Sequence, residues 1–231
     1  MQLFYQPDLP SGALFLDDEE SRHAVRVLRL KEGDAINITD GKGSFYTATI
    51  ADANPKKCTF AIVSKTSVPK RDFQIHVALA PTKNSDRTEW FVEKAIEIGI
   101  DAISFILCKN SERKVINLDR IEKIAVSALK QSQQAWLPVL TEMAPFKKIM
   151  EVHADQKFIG FVDTANPQHL TTVAQRQKKY LVLIGPEGDF SHEELKQAQT
   201  HGFQKISLGP NRLRTETAAL VAVHTLGLVN L

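Results

Sequence analysis

The sequence predicts an α/β protein in two parts: a small β-domain over residues 1–70, then an α/β domain with a mostly parallel sheet over residues 73–231. Three observations carry this prediction. The first seventy residues hold short stretches of alternating apolar and polar residues, broken by Gly- and Pro-containing turns, as half-buried strands require. From Phe73 onward, short apolar runs alternate with segments of helical period, the pattern of strands joined by crossover helices. Near the C-terminus, Leu181–Ile184 and Ile206–Leu208 each end in a Gly-Pro turn that opens into a helical pattern. Two such units in tandem set two backbone loops along one edge of a sheet, the edge where open α/β sheets bind ligands.

Taken in order, Ala35–Thr39 alternates, Asp40-Gly41-Lys42-Gly43 turns, and Phe45–Ile50 alternates again, which is a β-hairpin with a Gly-containing loop. Asn54-Pro55-Lys56-Lys57 turns once more before the run Cys58–Val63, and together these strands imply a small β-barrel or β-sandwich. Val68-Pro69-Lys70-Arg71-Asp72 is a polar, Pro-containing linker. Phe73–Ala80 is an apolar strand. Asp86-Arg87-Thr88-Glu89 has the spacing of a capping box and opens a helix to about Ile98, closed by Gly99. Ile103–Leu107 is a strand. Leu118 to about Ala135 is a long helix with apolar residues at 121, 124, 125, 128 and 129 on one face. Phe158–Val162 is a strand, Ser191-His192-Glu193-Glu194 is a second capping box, and an apolar helix runs from Ala218 to about Val229 with Thr215 as its N-cap.

Composition sets limits on function. The 231 residues hold 43% hydrophobic and 24% charged side chains, enough for a substantial core, with a net charge of only +2. Residues 1–71 carry ten Lys/Arg against nine Asp/Glu, and the remainder nineteen against eighteen, so a nucleic-acid surface has to come from local clustering. Cys58 and Cys108 have no further Cys or His at ligand spacing, which implies two buried thiols and no metal site. No apolar run is long enough to span a membrane, and Met1–Tyr5 lacks the basic start and apolar core of a signal peptide. A reduced, cytoplasmic protein is the expectation.

The two turns differ in their chemistry. In Gly185-Pro186-Glu187-Gly188, glycine permits close backbone approach to a ligand, and the following helix start offers free N–H groups. Glu187 and Asp189 would nevertheless repel a phosphate, and no Gly-Lys-Ser/Thr ending follows, which excludes a P-loop. A cofactor with ribose hydroxyls, a positive centre and no phosphate fits better, and S-adenosylmethionine has those properties. Asp189 and Ser191 read equally as helix caps. In the second turn, Arg214 stands just before a helix N-terminus, where the dipole prefers a carboxylate. Arg214 therefore either pairs with Glu216 or holds an anionic substrate.

Ile184-Gly185-Pro186-Glu187-Gly188, Leu208-Gly209 and Leu213-Arg214-Thr215-Glu216-Thr217-Ala218 together resemble the bacterial 16S ribosomal RNA uridine-N3 methyltransferases of the SPOUT superfamily. The resemblance extends over essentially the whole chain. His23, Val27-Leu28-Arg29, Gly33-Asp34 and Asp40–Gly43 are similar to that family's PUA-like RNA-binding domain. Lys83, Glu89–Gly99, Ser111-Glu112-Arg113 and Gln131-Ser132 followed by Pro138 are similar to its central stretches. The chain departs from the family pattern at Asp189, where a third glycine is usual, at Asn211-Arg212, at Gln133-Gln134, and at Gln2, where a basic residue is common.

The resemblance implies a SPOUT domain with a deep trefoil knot behind a PUA-like β-barrel, and transfer of a methyl group from S-adenosylmethionine to N3 of one uridine in small-subunit ribosomal RNA. It implies that the knot loops hold the cofactor, through Leu183, Ile184, Gly185, Pro186, Glu187, Gly188, Leu208, Gly209, Leu213 and Thr217. Uridine N3 is a poor nucleophile until it loses its proton, so donors aimed at the developing negative charge contribute most. Arg214 is the first candidate, with Thr215 and backbone N–H groups beside it. Glu216 is a candidate to accept the proton, to bind a cofactor hydroxyl or to orient Arg214, and orientation is preferred since a carboxylate next to Arg is a weakened base. Arg22, Arg26 and Arg29, at helical spacing, and Lys83, Arg87 and Arg113 are the expected RNA contacts. His23 is structural before it is catalytic. The expected partners are 16S rRNA within the 30S subunit and a second copy of the chain, joined through the Ala218–Val223 helix, with no metal and no membrane. A SPOUT enzyme acting on transfer RNA and a non-catalytic RNA-binding assembly protein are the alternatives.

Overall fold

In the computed structural model, which describes residues 2–162 and 168–231, the chain divides into two units. One comprises residues up to Lys70 together with Val126–Leu137, and the other Arg71–Ala125 together with Pro138–Leu231. The segment 126–137 thus joins a unit that the sequence had drawn without it.

The first unit carries strands β1 (Leu3–Tyr5), β2 (Ala35–Thr39), β3 (Ser44–Asp52) and β4 (Thr59–Ser67) in that order across one sheet. β1 runs parallel to β2, and the other pairs are antiparallel. Strand alternation buries Ile36, Ile38, Tyr46, Ala48, Ile50 and Phe60 on one core with Phe4, Leu16, Ala24 and Cys58. The Asp40 carboxylate builds the hairpin turn: Oδ1 accepts from the Lys42 and Ser44 amides at 2.7 and 3.0 Å, and Oδ2 from the Tyr46 hydroxyl at 3.2 Å. Gly43, at φ +101°, donates its N–H to Ala135 O at 2.8 Å and lies against the Trp136 ring, whose Nε1–H is bonded to Val68 O at 3.0 Å.

Helix α1 (Asp18–Arg22) is capped by Asp17, whose side chain accepts from the Glu20 amide at 2.7 Å. It continues as a π-turn, His23–Val27, and Arg29 sits beyond it at φ +57°. The expected single arginine face therefore does not form. The π-turn changes the angular step per residue, and Arg29 leaves the helix altogether.

The second unit follows the chain as β5 (Gln74–Leu79), α2 (Ser85–Ile98), β6 (Ala102–Leu107), α3 (Leu118–Gln131, entering the first unit at Val126), β7 (Val139–Pro145), α4 (Phe146–Ile149), β8 (Gln156–Gly160), α5 (Leu170–Val173), β9 (Lys179–Ile184), α6 (His192–Thr200), β10 (Phe203–Ile206) and α7 (Thr215–Val229). Its six strands are all parallel, in the order β10-β8-β9-β5-β6-β7. The mostly parallel sheet is as expected. Of the two central strands, β9 is an unbroken apolar run from Tyr180 to Ile184 and β5 is apolar but for Gln74 and His76, because helices cover both faces: Val77 and Leu181–Leu183 are fully buried. Among the described residues, no helix is long and apolar enough to cross a membrane.

Three helix boundaries differ from expectation. Helix α2 begins at Ser85 and is capped by Asn84, which accepts from the Asp86 amide at 3.0 Å, so Asp86 lies within the first turn instead of capping it. Helix α3 ends at Gln131, short of Ala135: the Ser132 hydroxyl turns back to Ala128 O at 2.6 Å, and Gln133 takes φ +54°. Thr215 is the first helical residue of α7, and Arg214 stands at the cap position with no side-chain bond. The Ser191–Glu194 capping box forms as expected. Cys58 and Cys108 are free, buried thiols, and burial raises the pKa of each.

His76, on the central strand β5, places Nε2 2.8 Å from the Ser104 hydroxyl, and burial lowers its pKa from the usual 6.5 to about 4. The fold therefore holds the neutral ring. Its stabilising effect is complete above pH 6.5 and is lost as pH falls toward 4, because the unfolded chain binds the proton first. Urea unfolding at pH 7 and pH 4.5 is expected to show about 2 kcal/mol more acid loss for the native chain than for His76→Gln. Equal losses in the two proteins would refute this.

Candidate active site

The C-terminal ends of β8, β9 and β10 converge on a cavity of about 600 Å³. Its walls are Gly160–Val162 after β8, the Gly185 turn after β9, and the segment Ser207–Thr215 after β10, with Ala218 on α7. This edge is where a parallel sheet collects ligands, since successive crossovers leave their loops there.

The two turns are tied together. Thr215 donates its hydroxyl proton to Gly185 O at 3.0 Å, which explains why its side chain does not cap α7. Gly209, at φ +138°, leaves open space where a side chain would stand, and Ser207 brackets it, accepting from the Gly209 amide at 3.2 Å. At Gly185 a Cβ would meet the Phe190 ring at 3.1 Å and the Phe190 amide nitrogen at 3.2 Å, closer than side chains ordinarily stand. Glu187 anchors the loop by accepting from the Lys83 amide at 2.9 Å.

Asp189 does not cap α6. It adopts φ +60°, and its carboxylate accepts from the Val162 amide at 3.1 Å and from the Phe190 amide at 2.8 Å. One side chain therefore joins the ends of β8 and β9 inside the cavity wall. Burial raises its pKa, against the pull of these two amides and of Arg212.

Of the ten residues expected to hold the cofactor, Ile184, Gly185, Pro186, Glu187, Leu208, Gly209 and Leu213 line the cavity. Leu183 does not, because strand alternation sends it into the hydrophobic core. Gly188 backs onto Asn110, which donates to its carbonyl at 3.2 Å, and Thr217 lies a half-turn along α7, outside the lining. Arg214 and Thr215 line the cavity. Glu216 does not orient Arg214: it is buried, Arg87 approaches its Oε1 at 3.8 Å, and its Oε2 has no partner. The Arg214 side chain makes no hydrogen bond or ion pair with any described residue. A free guanidinium at the positive end of a helix is a strong locus for negative charge.

The expected RNA contacts fare unequally. Arg113 is occupied with the Thr82 and Lys83 carbonyls at 3.0 and 2.5 Å, so it shapes the β5–α2 loop. Lys83 pairs with Glu112 at 2.9 Å, Arg87 with Glu216, and Arg22 with Asp18. Arg26 and Arg29 are exposed, and neither has a partner among the described residues. The motifs did not single out Phe161, Val162 or Asn211 as cavity residues, nor Asp189 and Arg212 as its charged wall. A signal existed for the first two, since they follow a strand that ends on the same sheet edge.

Known proteins share this architecture. Residues 69–227 match the family described as RNA methyltransferase domain, and residues 16–63 that described as RNA methyltransferase PUA domain. Ribosomal RNA small subunit methyltransferase E of Mycobacterium bovis is 30% identical over 243 residues, covering 98% of this chain and 91% of its own. The protein of the same name from Buchnera aphidicola is 30% identical over 239 residues, with 97% and 92% covered. A probable rRNA-methyltransferase from Porphyromonas gingivalis has a crystal structure 42% identical in sequence, with a TM-score of 0.92 and 99% of both chains covered. A putative methyltransferase from Legionella pneumophila, in complex with the cofactor SAM, is 28% identical with a TM-score of 0.86, covering 100% of this chain and 98% of its own.

Proposed function

The chain belongs to the RNA methyltransferase family, and from that premise we propose that it methylates N3 of a uridine in the 16S ribosomal RNA of the small subunit, using S-adenosylmethionine. The observation that carries this reading is the cavity at the ends of β8, β9 and β10, with the unpaired Arg214 in its wall.

The residues present fit the cofactor. A volume of about 600 Å³ suits a small ligand, and apolar side chains such as Ile184, Leu208 and Leu213 alternate with backbone polar groups along the wall. Glu187 and Asp189 on the β9 turn favour a positive centre, while Arg212 and Arg214 on the segment after β10 favour negative charge, a division that suits a ligand carrying both. When bound, the cofactor supplies an electrophilic methyl group on a sulfonium. Thr215 fixes the distance between the two turns that would grip it, and Asp189 fixes the third wall. Arg214 stabilises the negative charge that spreads over N3, O2 and O4 of the uridine as the proton leaves. Glu216 holds Arg87 rather than Arg214, so the Arg214 guanidinium stays free for the substrate.

The first unit, with Arg26 and Arg29 unpaired, serves RNA capture in this reading. A trefoil knot through the cavity loops, and a homodimer through α7, whose Leu220 and Val221 are half-buried and whose Leu228 is 52% exposed, complete it. The test is methyl transfer from labelled cofactor to 30S subunits and to naked RNA, with the modified base mapped. Methyl at uridine N3 in 16S RNA is expected, and methyl on transfer RNA or on a ribose would overturn the reading. Cofactor at one hundred times its Kd should add about 2.7 kcal/mol to the stability of the chain. No rise in melting temperature at millimolar cofactor would instead mark a binding protein.

A further inference from the structure

A second cavity, of about 710 Å³, lies wholly within the first unit, lined by α1, its π-turn and the last turns of α3. At its floor Lys130 donates to Glu20 Oε1 in a largely buried ion pair. Glu20 is only 8% exposed, and its Oε2 has no hydrogen-bond partner. Around this floor stand the amides of Gln131 and Gln133 and the half-buried ring of His23, which meets Phe4 edge-on. At the rim are the exposed Arg26, with no partner among the described residues, and Val27, 66% exposed.

These groups ask for one kind of ligand. Lys130 is paired with Glu20 and Arg22 with Asp18, which leaves Arg26 as the unpaired cation with Glu19 nearby in the lining, a balance that disfavours a cluster of phosphates. The walls mix polar groups with Leu3 and Val27, as a ligand with both a charged and a planar apolar part requires. A single negative charge can settle on Arg26. A planar ring can lie against His23 and Val27, and its polar edge can meet amides that both donate and accept. We propose that this cavity is a binding pocket for one unpaired nucleotide of RNA, with its phosphate on Arg26 and its base between His23 and the Gln131–Gln133 wall. The proposal rests on the reading that the chain acts on RNA. It adds a docking point in the first unit, separate from the site of methyl transfer. Phosphate contacts position an RNA and base contacts select it, and this pocket offers both.

The test uses the full chain and a fluorescein-labelled single-stranded octaribonucleotide, with a duplex of the same length and poly-glutamate as comparison probes. Ser127 lines the cavity from an exposed position, so Ser127→Trp fills the space without touching the buried pair. Ser127→Trp is expected to weaken single-strand binding at least about fivefold while leaving duplex binding unchanged. Arg26→Ala is expected to weaken it as well and to reduce the salt slope by about one. Unchanged single-strand affinity in both variants, an equal loss with duplex, or competition by poly-glutamate as strong as by RNA would each overturn the pocket. Methylation of 30S subunits, followed in parallel, separates this proposal from the wider reading. Active native chain with an unmoved KM in Ser127→Trp rejects the pocket alone. Failure of the native chain to methylate 30S rejects the enzyme assignment, while the binding assay still decides the pocket.

Discussion

Replacing Arg214 by alanine is expected to lower single-turnover methylation of 30S subunits by about 10²- to 10³-fold, the range for losing one preorganised donor to a developing anion. Cofactor affinity, measured by calorimetry, should change by less than about twofold. The asymmetry follows from position. Arg214 lines the cavity with a guanidinium that nothing in the described chain engages, so no fold contact is lost. Its backbone continues to serve α7, because its carbonyl accepts from the Ala218 amide at 2.8 Å. A cation at the start of a helix opposes the dipole, so the alanine variant should be slightly more stable, by about 0.3–1 kcal/mol. A residue kept for stability would move the melting temperature the other way. Arg214→Lys restores charge without the planar fork and should recover only part of the rate. Near-normal turnover in Arg214→Ala would remove the residue from catalysis.

Gly43→Ala is expected to destabilise the chain by about 3 kcal/mol or more, through overpacking added to backbone strain. A Cβ at residue 43 would stand 2.2 Å from a ring carbon of Trp136, and the ring cannot swing aside without breaking its bond to Val68 O. The backbone cannot relax either, since the Gly43 N–H is held by Ala135 O and φ is +101°. Gly12→Ala is the control. It has a similar φ of +92° and nothing within 4 Å of the added atom, so it carries the strain without the overlap. Urea unfolding of the two variants should differ by at least about 2 kcal/mol, and similar losses would show that backbone conformation alone explains the glycine.

Much of this fold was legible because it rests on local periodicity. The period-two runs on either side of Asp40–Gly43 paired as a hairpin, and the apolar runs from Phe73 onward became parallel strands. The readings that failed were those in which a local group had a distant competitor. Thr215 looked like a helix cap until the Gly185 carbonyl, thirty residues earlier, took its hydroxyl proton. Asp86 lost the start of α2 to Asn84, with an equally suitable side chain two residues before it. The three arginines of the first unit parted because a π-turn has no sequence signature. Glu216 and Arg214 are neighbours on paper, yet Arg87 from another helix approaches the carboxylate. At the cavity, the two glycine turns form two of the walls. The third wall, Gly160–Val162, carries no motif, and Asp189 looked like a cap because its bond to Val162 depends on the strand order of the sheet.

That strand order also dictates when the protein can become whole as it is made. β9 fills the middle of the sheet, with Lys179 registered against Gln74 on one side and Tyr180 against Gln156 on the other, yet it is the fifth of the six strands to be synthesised. The first unit waits too, because its hairpin closes on Ala135 and Trp136. A nascent chain that has reached Lys178 therefore carries β5 and β8 with their inner edges unpaired, open to any other strand that passes. The parallel sheet cannot close until the last third of translation, and a chain stalled before β9 is expected to expose two strand edges that the finished protein covers.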